Sequence, residues 1–294
     1  MSMKRFSSLL LGFGMIVGVV AGAAGNNQDT TIRAGGSTTL LPIMANCSSE
    51  FMEKYQTWDR VDASLPKSTT TVFVTGGGSG FGVKSLMSGV VDIGMVSRDL
   101  KDQEKKLLGD HQTHLVGKDA VAIAVNTRNP LAGRKKGFTP AELAAIFSGE
   151  IKSYQELDRT LPAKPIVLLA RDSGAGSTEI FQEKIMGDKK FSPKALQLPS
   201  QGALLEKLQA NSNAIAYISS GLAMNSKNLK AFALENVQPT DANVSNGTYP
   251  LARPLLMVVK GAPAPTVRHF VNYALTSCQK IVVANGYVPS GSIN

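Results

Sequence analysis

Apolar runs that end in Gly or Ser recur along the chain. Four of them read as buried strands: TTIRAGG (30–36), STTTVFVTGGGSG (68–80), VVDIGMVS (90–97) and PIVLLARDSG (165–174). A stretch with helical spacing of apolar positions follows each one. Such spacing covers Leu41 to Tyr55, Val83 to Gly89, Glu179 to Met186 and Gly202 to Ala210. Thr139-Pro140-Ala141-Glu142 opens a further helix, with Thr as N-cap and Pro in the first turn. Repeated strand, turn and helix predict a parallel α/β sheet. VAIAVN (121–126) and LLMVV (255–259) add two strands and divide the chain into a first part, a middle and a tail. Two lobes joined by two crossings would produce that division. Asn225 to Thr248 is polar and reads as irregular surface structure.

Residues 1–24 follow a different pattern. Lys4 and Arg5 precede an apolar stretch from Leu9 to Val20, and Ala21-Gly22-Ala23 supplies a small-x-small cleavage site. This is the layout of a secretory signal peptide. The apolar stretch is shorter than the ~20 residues of a spanning helix. The layout therefore predicts a soluble, exported protein, with the bacterial periplasm as the expected location. In such a compartment Cys47 and Cys278 either pair as a disulfide or stay as two buried thiols; the sequence does not supply their separation.

Composition narrows the function. The 294 residues carry a net charge of +9, and losing Lys4 and Arg5 with the leader lowers it to +7. Nucleic acid would call for clustered Lys and Arg interleaved with aromatics. The densest basic run, Arg134-Lys135-Lys136, has no aromatic before Phe138 and reads as a solvated loop. No nucleic-acid partner is expected. Two cysteines and three histidines exclude a four-Cys zinc site and a His-rich metal centre. His111 and His114 lie in a polar stretch and read as solvent-exposed, and His269 as a surface or packing residue. Neither a metal nor a cofactor is implied. There is no G-x-S-x-G elbow and no nucleotide P-loop, so the sequence offers no enzyme signature.

Candidate chemistry sits at three strand-to-helix turns. They are GGSTTLLP (35–42), GGGSGFGVK (76–84) and RDSGAGSTE (171–179). A helix start presents unpaired backbone N–H groups. Gly lets the chain approach an anion closely, and Ser or Thr hydroxyls add donors without adding charge. Any one such turn is most often a plain N-cap. Three together, one carrying Arg171, point to a cage for a tetrahedral oxyanion.

These segments, with VDIGMVSRDL (91–100), FTPAELAAIFSGEIKSYQEL (138–157), NAIAYISSG (213–221) and YPLARPL (249–255), resemble the blocks of the phosphate-binding proteins of bacterial phosphate ABC transporters, the PstS-like family. The number and order of the blocks carry the resemblance over essentially the whole mature chain. It implies a type II periplasmic-binding fold of two α/β lobes that close over the ligand. Lobe 1 would be residues 25–119 with 248–294, and lobe 2 residues 120–247. It also implies a non-enzymatic monomer that captures inorganic phosphate and delivers it to a membrane ABC permease. Matched position by position, the ligand set would be Ser37, Thr38, Thr39, Ser79, Ser97, Arg171, Gly176 and Ser177, with Arg98 as an auxiliary charge. Three positions depart from the family pattern: Ala175 replaces a Ser, Ser177 a Thr and Tyr154 a Trp. Ser173 is the candidate to replace the hydroxyl lost at Ala175. Some members place a carboxylate near position 97 to accept a phosphate proton, and Asp99 and Asp172 are the candidates here. The alternatives are a receptor for another oxyanion or a phosphorylated solute, and an exported adhesion or sensing protein reusing the fold.

Overall fold

The structure is a computed structural model describing residues 30–291, so the signal peptide read over residues 1–24 lies outside the described residues. In chain order the first part forms β1 (Ile32–Gly36), α1 (Leu41–Tyr55), α2 (Trp58–Val61), β2 (Val72–Gly76), α3 (Ser79–Met87), β3 (Ile93–Val96), α4 (Asp102–Leu108) and the long β4 (His111–Asn126). The middle holds β5 (Gly137–Phe138), α5 (Pro140–Ser148), α6 (Tyr154–Leu157), β6 (Val167–Arg171) and α7 (Gly176–Phe181), which runs on as a π-helical turn to Met186. It continues with β7 (Leu196–Leu198), α8 (Gln201–Ala210), β8 (Ala214–Ser219), α9 (Ser220–Asn225), β9 (Leu229–Leu234) and α10 (Asp241–Ser245). The tail is β10 (Ala252–Lys260), α11 (Pro265–Thr276), α12 (Gln279–Ala284) and β11 (Val288–Pro289).

Two separate apolar cores organise these elements. Trp58, Phe51, Phe270 and Val258 belong to buried clusters drawn from residues 32–116 and 255–287. Phe147, Phe181, Tyr217 and Leu204 belong to clusters drawn from residues 120–252. Tyr249 and Leu251 pack in the second core, so the return crossing falls at 252–254, a few residues later than the sequence-based boundary at 248. Local chemistry explains the element ends. Thr139 Oγ1 accepts from the Glu142 amide, Glu142 accepts from the Thr139 amide, and Gly149 closes α5 in the left-handed region.

The sheet is mixed rather than parallel. β1 runs parallel to β2 and β3, and β6 parallel to β7 and β8, as strand–helix repetition requires. The two halves are joined by β4 and β10, which pair antiparallel. The chain leaves the first body along β4 and returns along its neighbour, so the two strands must run in opposite senses. The 16 residues of β4 span roughly 50 Å, enough to serve both bodies.

Three surface expectations change. His111 and His114 open β4 and are half-buried, and burial lowers the His114 pKa. Asn225 to Thr248 contains β9, where Leu229, Phe232 and Leu234 are buried, together with α10. Lys135 in the basic run pairs with Glu142 and lies over the Phe138 ring, whereas Arg134 and Lys136 are exposed.

Cys47 in α1 and Cys278 before α12 form a disulfide, with Cα atoms 5.6 Å apart and a sequence separation of 231. It clips together the two chain segments of the first body, which are separated by the whole second body. Closing so long a loop in the unfolded chain should contribute about 2–5 kcal/mol. The Cys47→Ser/Cys278→Ser variant is expected to melt roughly 10 °C lower by scanning calorimetry. A shift under about 2 °C would show that the clip adds little.

Candidate functional site

Four chain segments meet between the two bodies. After β1, the chain turns through Ser37, Thr38 and Thr39 into α1, with the Ser37 amide bonded to the Met95 carbonyl at 2.8 Å. After β2, Gly77 and Gly78 turn into α3, which opens with Ser79. Gly78 has φ +88°, and a Cβ there would lie 2.6 Å from the Gly174 carbonyl, so only Gly fits. Ser97 follows β3. In the second body, β6 ends at Arg171 and a short turn leads to Gly176 and Ser177 at the start of α7.

Together these residues form a small cavity between the bodies, lined by Ser37, Thr38, Thr39, Gly78, Ser79, Ser97, Arg171, Ala175, Gly176 and Ser177. All except the half-buried Thr38 are buried. Arg171 is the one charged group in the lining, which contains no carboxylate.

The hydroxyls share a polarity. Ser37 Oγ accepts from the Thr39 and Leu40 amides, Thr38 Oγ1 from Arg171 Nη1, and Thr39 Oγ1 from Arg253 Nη2. Ser79 Oγ accepts from the Ser97 amide, Ser97 Oγ from Arg253 Nη1, and Ser177 Oγ from Gln201 Nε2 at 3.5 Å. A hydroxyl that accepts an N–H keeps its own proton to donate. The hydroxyls are thus preset as donors around a guanidinium, with Ser79 Oγ and Ser97 Oγ also bonded to each other at 3.2 Å.

Arg171 is held from several sides. Its Nε donates to the Leu198 carbonyl, its Nη2 to Asp172 Oδ2 at 2.8 Å and to the Pro199 carbonyl, and its Nη1 crosses to Thr38 in the first body at 2.8 Å. Burial lowers its pKa, Asp172 opposes that shift, and the positive charge of Arg253 adds to it.

Other candidates lie elsewhere. Arg98 is buried outside the cage, with Nη1 and Nη2 on Glu104 at 2.7 and 2.8 Å and Nε on Glu179 of the second body. Ser97 and Arg98 both follow the end of β3 at Val96, yet Ser97 lines the cage and Arg98 does not. Asp99 is exposed, and Asp172 is engaged by Arg171 and the Gly174 amide. Ser173 is exposed at the turn and does not line the cavity. Accordingly Ser173→Ala should leave anion affinity unchanged within twofold by calorimetry; a marked loss would place its hydroxyl on the ligand.

Sequence reasoning passed over Gln201, Asp119 and Arg253. Gln201 is buried and also accepts from the Ser219 amide at 3.2 Å. Arg253 and Asp119 form a fully buried ion pair at 2.6 Å. The available signal was a charge set against a long apolar run, Asp119 before AVAIAV and Arg253 in LARPLLMVV. Burying such a charge requires a partner.

Two α/β bodies joined by paired crossing strands, with a donor-lined cavity between them, define a solute-binding protein of the type II periplasmic class. A model of the PBP superfamily domain matches residues 21–277, and the chain belongs to that family, in its PstS-like branch. It is 25% identical over 299 residues to the phosphate-binding protein PstS of Staphylococcus epidermidis, covering 96% of this chain and 87% of that one. A Clostridium perfringens phosphate ABC transporter substrate-binding protein, solved with bound phosphate, superposes with a TM-score of 0.75 at 26% identity, covering 89% of this chain and 100% of that one. An ABC-type phosphate transport receptor from Vibrio cholerae gives 0.68 at 27% identity, covering 87% and 99%.

Proposed function

We propose that this protein captures inorganic phosphate in the cavity between its two bodies and delivers it to a membrane ABC permease. The observation that carries this reading is the donor-only lining around Arg171 where the two bodies meet. The lining is all but buried and the two bodies meet over it, which suits one small tetrahedral oxyanion rather than a phosphorylated sugar or glycerol. The relatives support phosphate: the C. perfringens structure holds phosphate, and the S. epidermidis protein is named for binding it. The ligand set is Ser37, Thr38, Thr39, Ser79, Ser97, Arg171, Gly176 and Ser177.

The two bodies act as the closing lobes, with the return crossing at 252–254: residues 25–119 with the tail from Leu255, and residues 120–251. Contacts that exist only when the lobes meet support this role. Arg171 reaches Thr38, Glu179 reaches Arg98 and Lys101, and the Gly80 amide bonds the Gly174 carbonyl at 3.1 Å. Each favours the closed form alone, so ligand capture and closure reinforce each other. The protein works as an exported monomer, and binding and release break no covalent bond.

Retention of labelled phosphate by the ligand-stripped protein, challenged with unlabelled competitors, tests the reading. Phosphate should displace the label and glycerol phosphate should not. No retention, or equal displacement by the ester, would contradict it. Ala175 offers a milder test. It is the N-cap of α7 without a side-chain cap, and it lines the cavity. Ala175→Ser adds one hydroxyl worth about 1 kcal/mol, so phosphate should bind about fivefold more tightly by calorimetry.

A further inference from the structure

Arg253 and Asp119 stand directly opposite each other on β10 and β4, where the chain crosses between the bodies. Both side chains are fully buried, and Arg253 does not line the cavity. Nε donates to Asp119 Oδ2 at 3.1 Å. Nη2 donates to the same oxygen at 2.6 Å and to Thr39 Oγ1 at 3.1 Å. Nη1 donates to Ser97 Oγ at 3.2 Å and to the Ser97 carbonyl at 3.4 Å. The five guanidinium N–H groups are thereby matched by five acceptor contacts. The other Asp119 oxygen accepts from the Ser219 hydroxyl at 3.0 Å, and from the Ser220 amide and hydroxyl at 3.1 and 2.9 Å. Arg253 therefore grips the first body's cage, while Asp119 grips the second body at the junction of β8 and α9.

Stability alone is a weak reason for such a pair. Desolvating two charges offsets most of their attraction, and a well-packed apolar pair of the same volume is often as stable. What an apolar pair could not do is occupy a lone pair on each of two cage hydroxyls. With the guanidinium on Ser97 Oγ and Thr39 Oγ1, neither O–H can turn back toward β10, and each is left to donate within the cage, Ser97 toward the cavity or toward Ser79 Oγ at 3.2 Å. The planar fork reaches both hydroxyls and the carboxylate at once.

We propose that Arg253, anchored by Asp119, is a positioning residue for anion capture: it fixes the Ser97 and Thr39 hydroxyls as donors and ties their placement to the crossing strands between the bodies. This role rests on the phosphate reading above.

The test is a mutant cycle read by phosphate calorimetry, with the melting temperature of each ligand-free variant measured alongside. Arg253→Lys keeps the charge and the pairing with Asp119, but one ammonium cannot also span Ser97 and Thr39. It should bind phosphate at least tenfold more weakly, with a melting temperature close to that of the wild type. Placed on Thr39→Ala/Ser97→Ala, the same substitution should cause no further loss beyond twofold, because the groups it acts through are gone. Wild-type affinity in Arg253→Lys, or a full tenfold loss in the double-alanine background, overturns the proposal. Should Arg253→Lys fail to fold, Arg253→Gln/Asp119→Asn replaces the ion pair with a neutral amide pair, and the same non-additivity is required of it. Absence of phosphate binding by the wild-type protein overturns the phosphate reading, and this role with it.

Discussion

Replacing Arg171 with Met should weaken phosphate binding by at least about 100-fold. Arg171 is the sole charged group in the cavity lining and is almost fully buried. Four of its five N–H groups are held by the protein, which leaves one for the ligand, and a hydrogen bond to a charged group contributes about 1.5–3 kcal/mol. Burial raises the effect further, because a dianion brought into a low-dielectric site without a counter-charge keeps its desolvation cost. Arg171→Lys should recover only part of the loss: it restores the charge but not the fork that spans Thr38, Asp172 and the Leu198 and Pro199 carbonyls. Titration calorimetry on both variants, with melting temperatures to confirm folding, reads the effect. A loss below tenfold for Arg171→Met would remove Arg171 from the ligand.

An effect of similar size is expected from a single methyl group. Gly176 starts α7 in the second body and faces the first. A Cβ at this position would lie 2.6 Å from Ser79 Oγ, 2.8 Å from Ser97 Oγ and 3.2 Å from the Ser97 carbonyl. Two of these atoms belong to cage hydroxyls that are themselves held by the Ser97 amide and by Arg253. They cannot retreat without losing those bonds, so Gly176→Ala must either fill the cage or hold the bodies apart. Phosphate binding should fall by about two orders of magnitude, about 3 kcal/mol. Folding should not suffer, because Ala is the better helix residue by about 1 kcal/mol and the bodies keep separate cores. Lost binding with a preserved melting temperature therefore separates the site from the fold. Wild-type affinity would show that the bodies do not meet at Gly176 when the ligand is bound.

Much of the fold is legible in the sequence where signals are local. The helix from Leu41 to Tyr55 and the Thr139 cap match the structure to the residue, because apolar spacing, proline and capping side chains act over a few positions. The three Gly- and Ser-rich turns are likewise local, and they are what the structure brings together. The misses involve distance or direction. Arg253 and Asp119 lie 134 positions apart, and only the pairing of β4 with β10 makes them partners. Nothing along the chain states that two strands run antiparallel, so the mixed sheet was read as parallel. The family resemblance implies Arg98 as an auxiliary charge, yet its guanidinium is drawn away from the cage by Glu104 and Glu179, which lie 6 and 81 positions along the chain. Ser173 is the sequence-based candidate for the hydroxyl lost at Ala175, but the turn that carries it is exposed to solvent before α7 begins. The strand Leu229–Leu234 escaped notice because six residues with polar flanks carry little periodic signal.

The most direct test of phosphate capture is a calorimetric titration of the ligand-stripped, folded protein with inorganic phosphate. The expected result is saturable binding at one site per chain, with micromolar or tighter affinity, weakened about 100-fold by Gly176→Ala. A folded protein that takes up no phosphate would contradict it.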